Sequence, residues 1–124
     1  MYKTFFISLM TIFTLNACQS QTASEKEYVL PKQEYQEKMA AIDNLQLLDV
    51  RTPKEYKEGH IEGAELINFF DKDFVQQVEA DFDKSKPLML YCRSGNRSAK
   101  ATAKLKAAGF KEIYDLQGGY NTWE

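Results

Sequence analysis

Leu88-Met89-Leu90-Tyr91-Cys92-Arg93-Ser94-Gly95-Asn96-Arg97-Ser98 takes an apolar run straight into a short polar loop headed by a cysteine. The run from Leu88 to Tyr91 is too short for a buried helix and suits a central strand. Ala99 through Ala108 is rich in good helix formers and is closed by Gly109, which predicts a helix that starts as the loop ends. Cys92 therefore sits where a strand hands over to a helix N-terminus. The amides there lack intrahelical partners and carry the positive end of the helix dipole, so an anion above the loop is stabilised. A thiolate is such an anion, and it is the nucleophilic form of cysteine. Gly95 permits the positive backbone angles that a tight cradle needs, and Asn96 tolerates them. Arg93 and Arg97 add fixed cations beside the sulfur, and the planar fork of Arg97 is able to tie a loop or grip an oxyanion.

Outward from this loop, strands and helices alternate. Pro31 to Ile42 carries Tyr35, Met39 and Ile42 at helical spacing, and Leu45 to Val50 is an apolar run ending in a charged pair. Thr52-Pro53-Lys54-Glu55 reads as a capping box with proline at the first helical position. Ala64 to Asn68 is strand-like, Lys72 to Phe82 places Phe74, Val75, Val78 and Phe82 on one helical face, and Ile113 to Leu116 reads as the last strand. The pattern predicts a single α/β domain, a mainly parallel sheet with helices on both faces and a ligand at the carboxyl ends of the strands. Asp49 and Arg51 at one such end are candidates either to orient the cysteine loop or to form a structural pair.

Three segments together resemble the rhodanese-like sulfurtransferases. Cys92-Arg93-Ser94-Gly95-Asn96-Arg97-Ser98 is similar to that family's active-site loop. Leu47-Leu48-Asp49-Val50-Arg51 with Glu55-Tyr56 and Gly59-His60-Ile61-Glu62-Gly63-Ala64 is similar to its upstream signature, and Leu116-Gln117-Gly118-Gly119-Tyr120 with Trp123 to its C-terminal one. Glu62 departs from the proline common in that turn. The resemblance implies a rhodanese-like domain over residues 29–124, with Cys92 as the catalytic residue and Arg93 to Ser98 as the substrate-binding loop. It also implies a structural hydrogen bond rather than catalysis for His60, and an anionic sulfur donor with a thiol or cyanide acceptor, with no metal or organic cofactor. Cysteine phosphatases, including those that share the rhodanese fold, place five residues between cysteine and arginine. Here only four separate Cys92 from Arg97. One residue is worth roughly 3.5 Å of reach, so a phosphoryl group fits this cradle badly while a single sulfur atom bonded to the thiol fits. A turnover sulfurtransferase is the expected function, with a persulfide carrier for an envelope partner as the alternative.

Residues 1–17 read as a secretory signal, with Lys3 ahead of a mainly apolar run of eleven residues from Phe5 to Leu15, too short to span a bilayer. Leu15-Asn16-Ala17-Cys18 resembles the lipobox of bacterial lipoproteins, which implies lipidation of Cys18 and an envelope protein held on a membrane surface. An ordinary signal peptide cut near Ala17 would instead leave Cys18 as a free thiol. Residues 18–28 read as a flexible tether. Removing residues 1–17 from the 124 leaves 107, enough for one modest core. Loss of Lys3 leaves 15 basic against 18 acidic residues, a balance that gives no field for nucleic acid. With Cys18 lipidated, Cys92 is the one remaining thiol and has no internal disulfide partner; with a single histidine in the chain, a metal site is not expected.

Overall fold

The computed structural model describes residues 26–124; the expected signal, the expected lipidation site Cys18 and most of the tether lie outside them. In chain order the elements are β1 (Lys26–Leu30), α1 (Lys32–Ala41), β2 (Gln46–Asp49), α2 (Pro53–Glu58), β3 (Glu65–Leu66), α3 (Phe74–Asp81), β4 (Leu88–Tyr91), α4 (Asn96–Ala107) and β5 (Glu112–Leu116). A 3₁₀ turn at Gly119–Thr122 comes last. The strands form one sheet in the order β1-β5-β4-β2-β3, and every adjacent pair is parallel.

Period-two alternation sorts the strand residues onto two apolar layers. Leu48, Leu88, Leu90 and Ile113 face a cluster completed by Phe74 and Val78 of α3 and by Ala101 and Leu105 of α4. Leu47, Met89, Tyr91, Tyr114 and Leu116 face the other, completed by Tyr35 of α1, Ile61 and the flank of Tyr56 from α2. Helices thus cover both faces, as expected. All four residues of β4 are buried, which is why this strand reads as an unbroken apolar run.

Three elements depart from the sequence expectation, the first being α4, which begins at Asn96 within the expected loop rather than at Ala99. Lys26-Glu27-Tyr28-Val29-Leu30 pairs with Glu112–Leu116 as an edge strand, so the last residues of the stretch read as tether, Lys26 to Tyr28, are strand. Its signal is weak because it lies at the sheet edge, with Tyr28 and Val29 exposed, and only a strand buried on both faces gives a long apolar run. The strand expected across Ala64 to Asn68 is the two-residue β3, paired with the end of β2 at Leu48 and Asp49.

The crossover pattern fixes where a ligand belongs. The helix after β2 packs on the face opposite to the helix after β4, so the connections diverge between these two neighbouring strands. A crevice opens at such a switch point, outside the carboxyl ends of the strands. Asp49 ends β2 and Tyr91 ends β4, and Arg51 and Cys92 lie just beyond them there.

Candidate active site

Cys92 is 1% exposed and comes directly after β4. The Gly95 amide donates to its Sγ at 3.0 Å, and Gly95, with φ +104°, is the N-cap of α4. The loop's carbonyls are held from the other side: the Tyr120 amide donates to the Cys92 carbonyl at 2.8 Å and the Asn121 amide to the Arg93 carbonyl at 3.0 Å. Gly119 makes this approach possible. A Cβ at that position would lie 2.5 Å from the carbonyl oxygens of Cys92 and Arg93, and its backbone has φ +63°. The C-terminal diglycine therefore lets backbone pass against the cysteine loop.

Arg97 lies at the start of α4, and its fork grips Glu55 of α2, with Nη1 to Oε1 at 2.7 Å and Nη2 to Oε2 at 2.9 Å. Of the two roles read for it, loop tying is the one this geometry carries. Glu55 is itself fixed by the capping box, with the Glu55 amide donating to Thr52 Oγ1 at 3.3 Å and Thr52 Oγ1 donating to Glu55 Oε1 at 3.0 Å. A local helix start and a long-range anchor thus meet in one carboxylate. The hydrogen bonds from Arg97 are the main reason its pKa is lowered, from an ordinary value of 4.5 to about 2. A carboxyl depressed in this way stabilises the fold at pH values above its ordinary value, and loses that contribution as the pH falls through the folded-state value. Glu55→Gln is accordingly expected to be less stable than wild type near neutrality, with the difference disappearing as denaturation is measured down to about pH 2.

Asp49 and Arg51 form a buried pair, with Arg51 Nη2 2.7 Å from Asp49 Oδ2 and Nε 3.0 Å from Oδ1. The Tyr91 hydroxyl donates to the same carboxylate at 2.7 Å and accepts from the Ile61 amide at 3.0 Å. Burial, ahead of the neighbouring Asp49 charge, pushes Tyr91 ionisation far above the ordinary phenol range, so it remains a neutral donor. Arg51 also donates to the Gly59 carbonyl at 2.7 Å, and its guanidinium lies 4.3 Å from the centre of the Tyr120 ring. Of the two readings for this pair, the geometry carries the structural one: it braces the floor and wall beside the cysteine loop. His60 is exposed, stacks on Tyr56 at 3.7 Å and has Nδ1 2.9 Å from the Tyr56 carbonyl.

A cleft of about 150 Å³ opens at this end of the sheet, lined by Arg51, Glu55, Glu58, Gly59, Arg93 and Tyr120 among others. It is about half the lower bound for drug-sized ligands and suits a small polar one. Arg93 is 57% exposed and reaches to 3.9 Å from Glu55, so its cation faces solvent at the cleft. The side chains of Ser94 and Asn96 are exposed, while Ser98 is fully buried beneath the sulfur. Sequence reasoning missed the second role of Glu55, because a capping box explains that residue locally. It also missed Asp115, a carboxylate 3% exposed on β5 that accepts from Ser98 Oγ at 3.0 Å.

The Rhodanese-like domain family matches residues 32–124. The chain belongs to the rhodanese-like domain family. It is 40% identical over 85 residues to thiosulfate sulfurtransferase 16, chloroplastic, of Arabidopsis thaliana, a match covering 61% of this chain and 71% of that protein. It is 30% identical over 122 residues to YqhL of Bacillus subtilis, covering 98% of this chain and 86% of that one. Among solved structures, a rhodanese-like domain protein from Staphylococcus aureus is similar at 29% identity and a TM-score of 0.67, covering 80% of this chain and 91% of that chain. The short cysteine loop, the diglycine behind it and the parallel sheet beneath it are thus parts of a rhodanese-like domain.

Proposed function

We propose that this chain is a sulfurtransferase that moves sulfane sulfur from an anionic donor such as thiosulfate to a thiophilic acceptor, through a persulfide on Cys92. One observation carries the reading: a buried cysteine Sγ accepting the Gly95 amide at 3.0 Å, in a loop with only four residues before Arg97. That cradle offers amide hydrogens to a single anionic sulfur atom. The similarity to proteins named thiosulfate sulfurtransferases supports the same chemistry.

In the first half-reaction the Cys92 thiolate attacks the outer sulfur of thiosulfate. A Sγ–S bond forms as the S–S bond of the donor breaks, and that electron pair leaves with sulfite. Arg93, exposed at the cleft, receives the sulfonate oxygens. The outer sulfur of the persulfide then carries the negative charge and sits over the loop amides. In the second half-reaction cyanide or a thiolate attacks that sulfur, and the Sγ–S electron pair returns to Cys92.

Thiocyanate release from thiosulfate and cyanide tests this function in the full chain. Steady turnover is the expected result. Uptake of one sulfur with no turnover on any acceptor would instead support a persulfide carrier, and hydrolysis of a phosphate ester without sulfur uptake would contradict both. Arg97→Lys keeps the cation and loses the two-pronged grip on Glu55. It is expected to lower the denaturation free energy by about 1–2 kcal/mol and to slow sulfur uptake, checked by denaturant titration and thiocyanate assay.

Anchoring through a lipid on Cys18 would hold this activity on a bacterial envelope membrane. Leu15-Asn16-Ala17-Cys18 supports it, as does the polar stretch from Gln19 onward. Cys18→Ala is expected to release the protein from the membrane fraction. Unchanged membrane association would rule out lipidation as the anchor.

A further inference from the structure

Behind the cysteine loop, Cys92 leads into two buried groups, Ser98 and Asp115, that the transfer steps above do not use. Cys92 Sγ is 3.3 Å from Ser98 Oγ, and Ser98 Oγ is 3.0 Å from Asp115 Oδ2. Their residues are 1%, 0% and 3% exposed. A serine hydroxyl has one hydrogen to donate. With that hydrogen on the Asp115 carboxylate, the thiol donates S–H to Ser98, and an ionised sulfur would meet a Ser98 oxygen lone pair beside the Gly95 amide.

From this we infer that Asp115 holds the Cys92 proton, passed through Ser98, in the free protein, so that the thiolate is formed before any donor arrives. The proton leaves Sγ for Ser98 Oγ while the Ser98 hydrogen passes to Asp115 Oδ2. The sulfur is then a thiolate, the carboxyl is neutral, and both hydrogen bonds have reversed, so that Ser98 donates to Sγ. The buried site carries a single negative charge before and after. Thiolate and carboxylate therefore need not be charged together in a low-dielectric interior, where two like charges are disfavoured. When the acceptor removes the outer sulfur, the electron pair returns to Sγ and the thiolate beside a neutral carboxyl is restored.

Two ionisable groups whose fields reach this chain sit on the flanking helices. Tyr35 of α1 feels the Asp115 charge, after burial the largest influence raising its ionisation, and it donates to the Leu90 carbonyl at 2.9 Å. Arg97 of α4 is held by Glu55 and, to a lesser degree, favoured by Cys92. Neither is hydrogen-bonded to Ser98, so neither substitutes for Asp115 as its acceptor. Asp115 is thus a positioning residue for the sulfurtransferase reading, on which its biological sense rests, but its effect on the thiol is measurable without any sulfur donor.

The test is the rate of Cys92 alkylation by iodoacetamide in the full chain, read at the Cys92 peptide by mass spectrometry as a function of pH. A coupled pair loses its protons in two macroscopic steps. Wild type is therefore expected to show an acid rise, a plateau through neutrality and a second rise in base. Asp115→Asn, which keeps the shape but cannot take the proton, is expected to show one rise at higher pH and at least a tenfold slower rate at neutrality. Ser98→Ala, which cuts the path, is expected to behave alike. If Asp115 were only a fixed negative charge, its removal would ease thiol ionisation and speed the neutral reaction; an unchanged or faster rate in Asp115→Asn overturns the relay. An infrared difference spectrum of wild type, alkylated minus free, keeps the test decisive if the variants fail to fold. Loss of a protonated carboxyl band on alkylation is expected, and loss of an S–H band with the carboxyl region unchanged overturns the proposal. Sulfur uptake from thiosulfate, measured separately, tests the sulfurtransferase reading itself.

Discussion

Cys92→Ser is expected to eliminate thiocyanate formation, a loss of at least about 10,000-fold, in line with removal of the nucleophile from other covalent catalysts. The magnitude reflects what a hydroxyl cannot do. A serine hydroxyl ionises far less readily than a thiol and is a poor nucleophile towards sulfur, so no persulfide forms and the reaction has no covalent intermediate. The fold should tolerate the change, because the packing around Cys92 comes from Leu90, Val50 and Ala101 and their neighbours, and oxygen occupies less volume than sulfur. Denaturant titration of the variant is the control. A folded Cys92→Ser protein that still released thiocyanate at a tenth of the wild-type rate would remove the cysteine from the chemistry.

Gly119→Ala is the second large effect, and it acts on the loop from behind. The added methyl would meet the backbone of Cys92 and Arg93 at 2.5 Å, closer than any carbon contact allows, and neither backbone atom is the free end of a flexible side chain. The residue would also be held at φ +63°, in the left-handed region that disfavours a Cβ. Together these cost about 3 kcal/mol. Relief comes from moving the 3₁₀ turn away, which breaks the hydrogen bonds from Tyr120 and Asn121 to the loop carbonyls. Sulfur uptake should therefore fall by about 100-fold, the scale expected when a reacting group is misplaced by an ångström. Retained activity together with wild-type stability would mean that the turn does not hold the loop.

The central strand, the cysteine loop and the helix after it were legible because each is dictated locally. An apolar run buried on both faces reads as an unbroken block, and Gly109 marks the end of the next helix. The capping box at Thr52 and Glu55 was legible for the same reason and is present as expected. What sequence could not deliver depends on pairing at a distance. The edge strand β1 owes its conformation to its register with β5, and its own residues alternate too weakly to announce a strand. Arg97 was legible as a cation at the loop, but the choice between gripping substrate and gripping Glu55 rests on α2 standing across the crevice, 42 positions away in the chain. Asp115 sat in an apolar run as an ordinary strand-end charge; only the register of β5 beside β4 brings it beneath Ser98.

The most direct measurement is the mass of the Cys92 peptide after brief exposure of the full chain to thiosulfate. A gain of one sulfur atom on that peptide, removed again by cyanide with thiocyanate appearing in equal amount, is the predicted result. A peptide that keeps its mass across a range of sulfane donors, in protein shown to be folded, would contradict persulfide formation at Cys92.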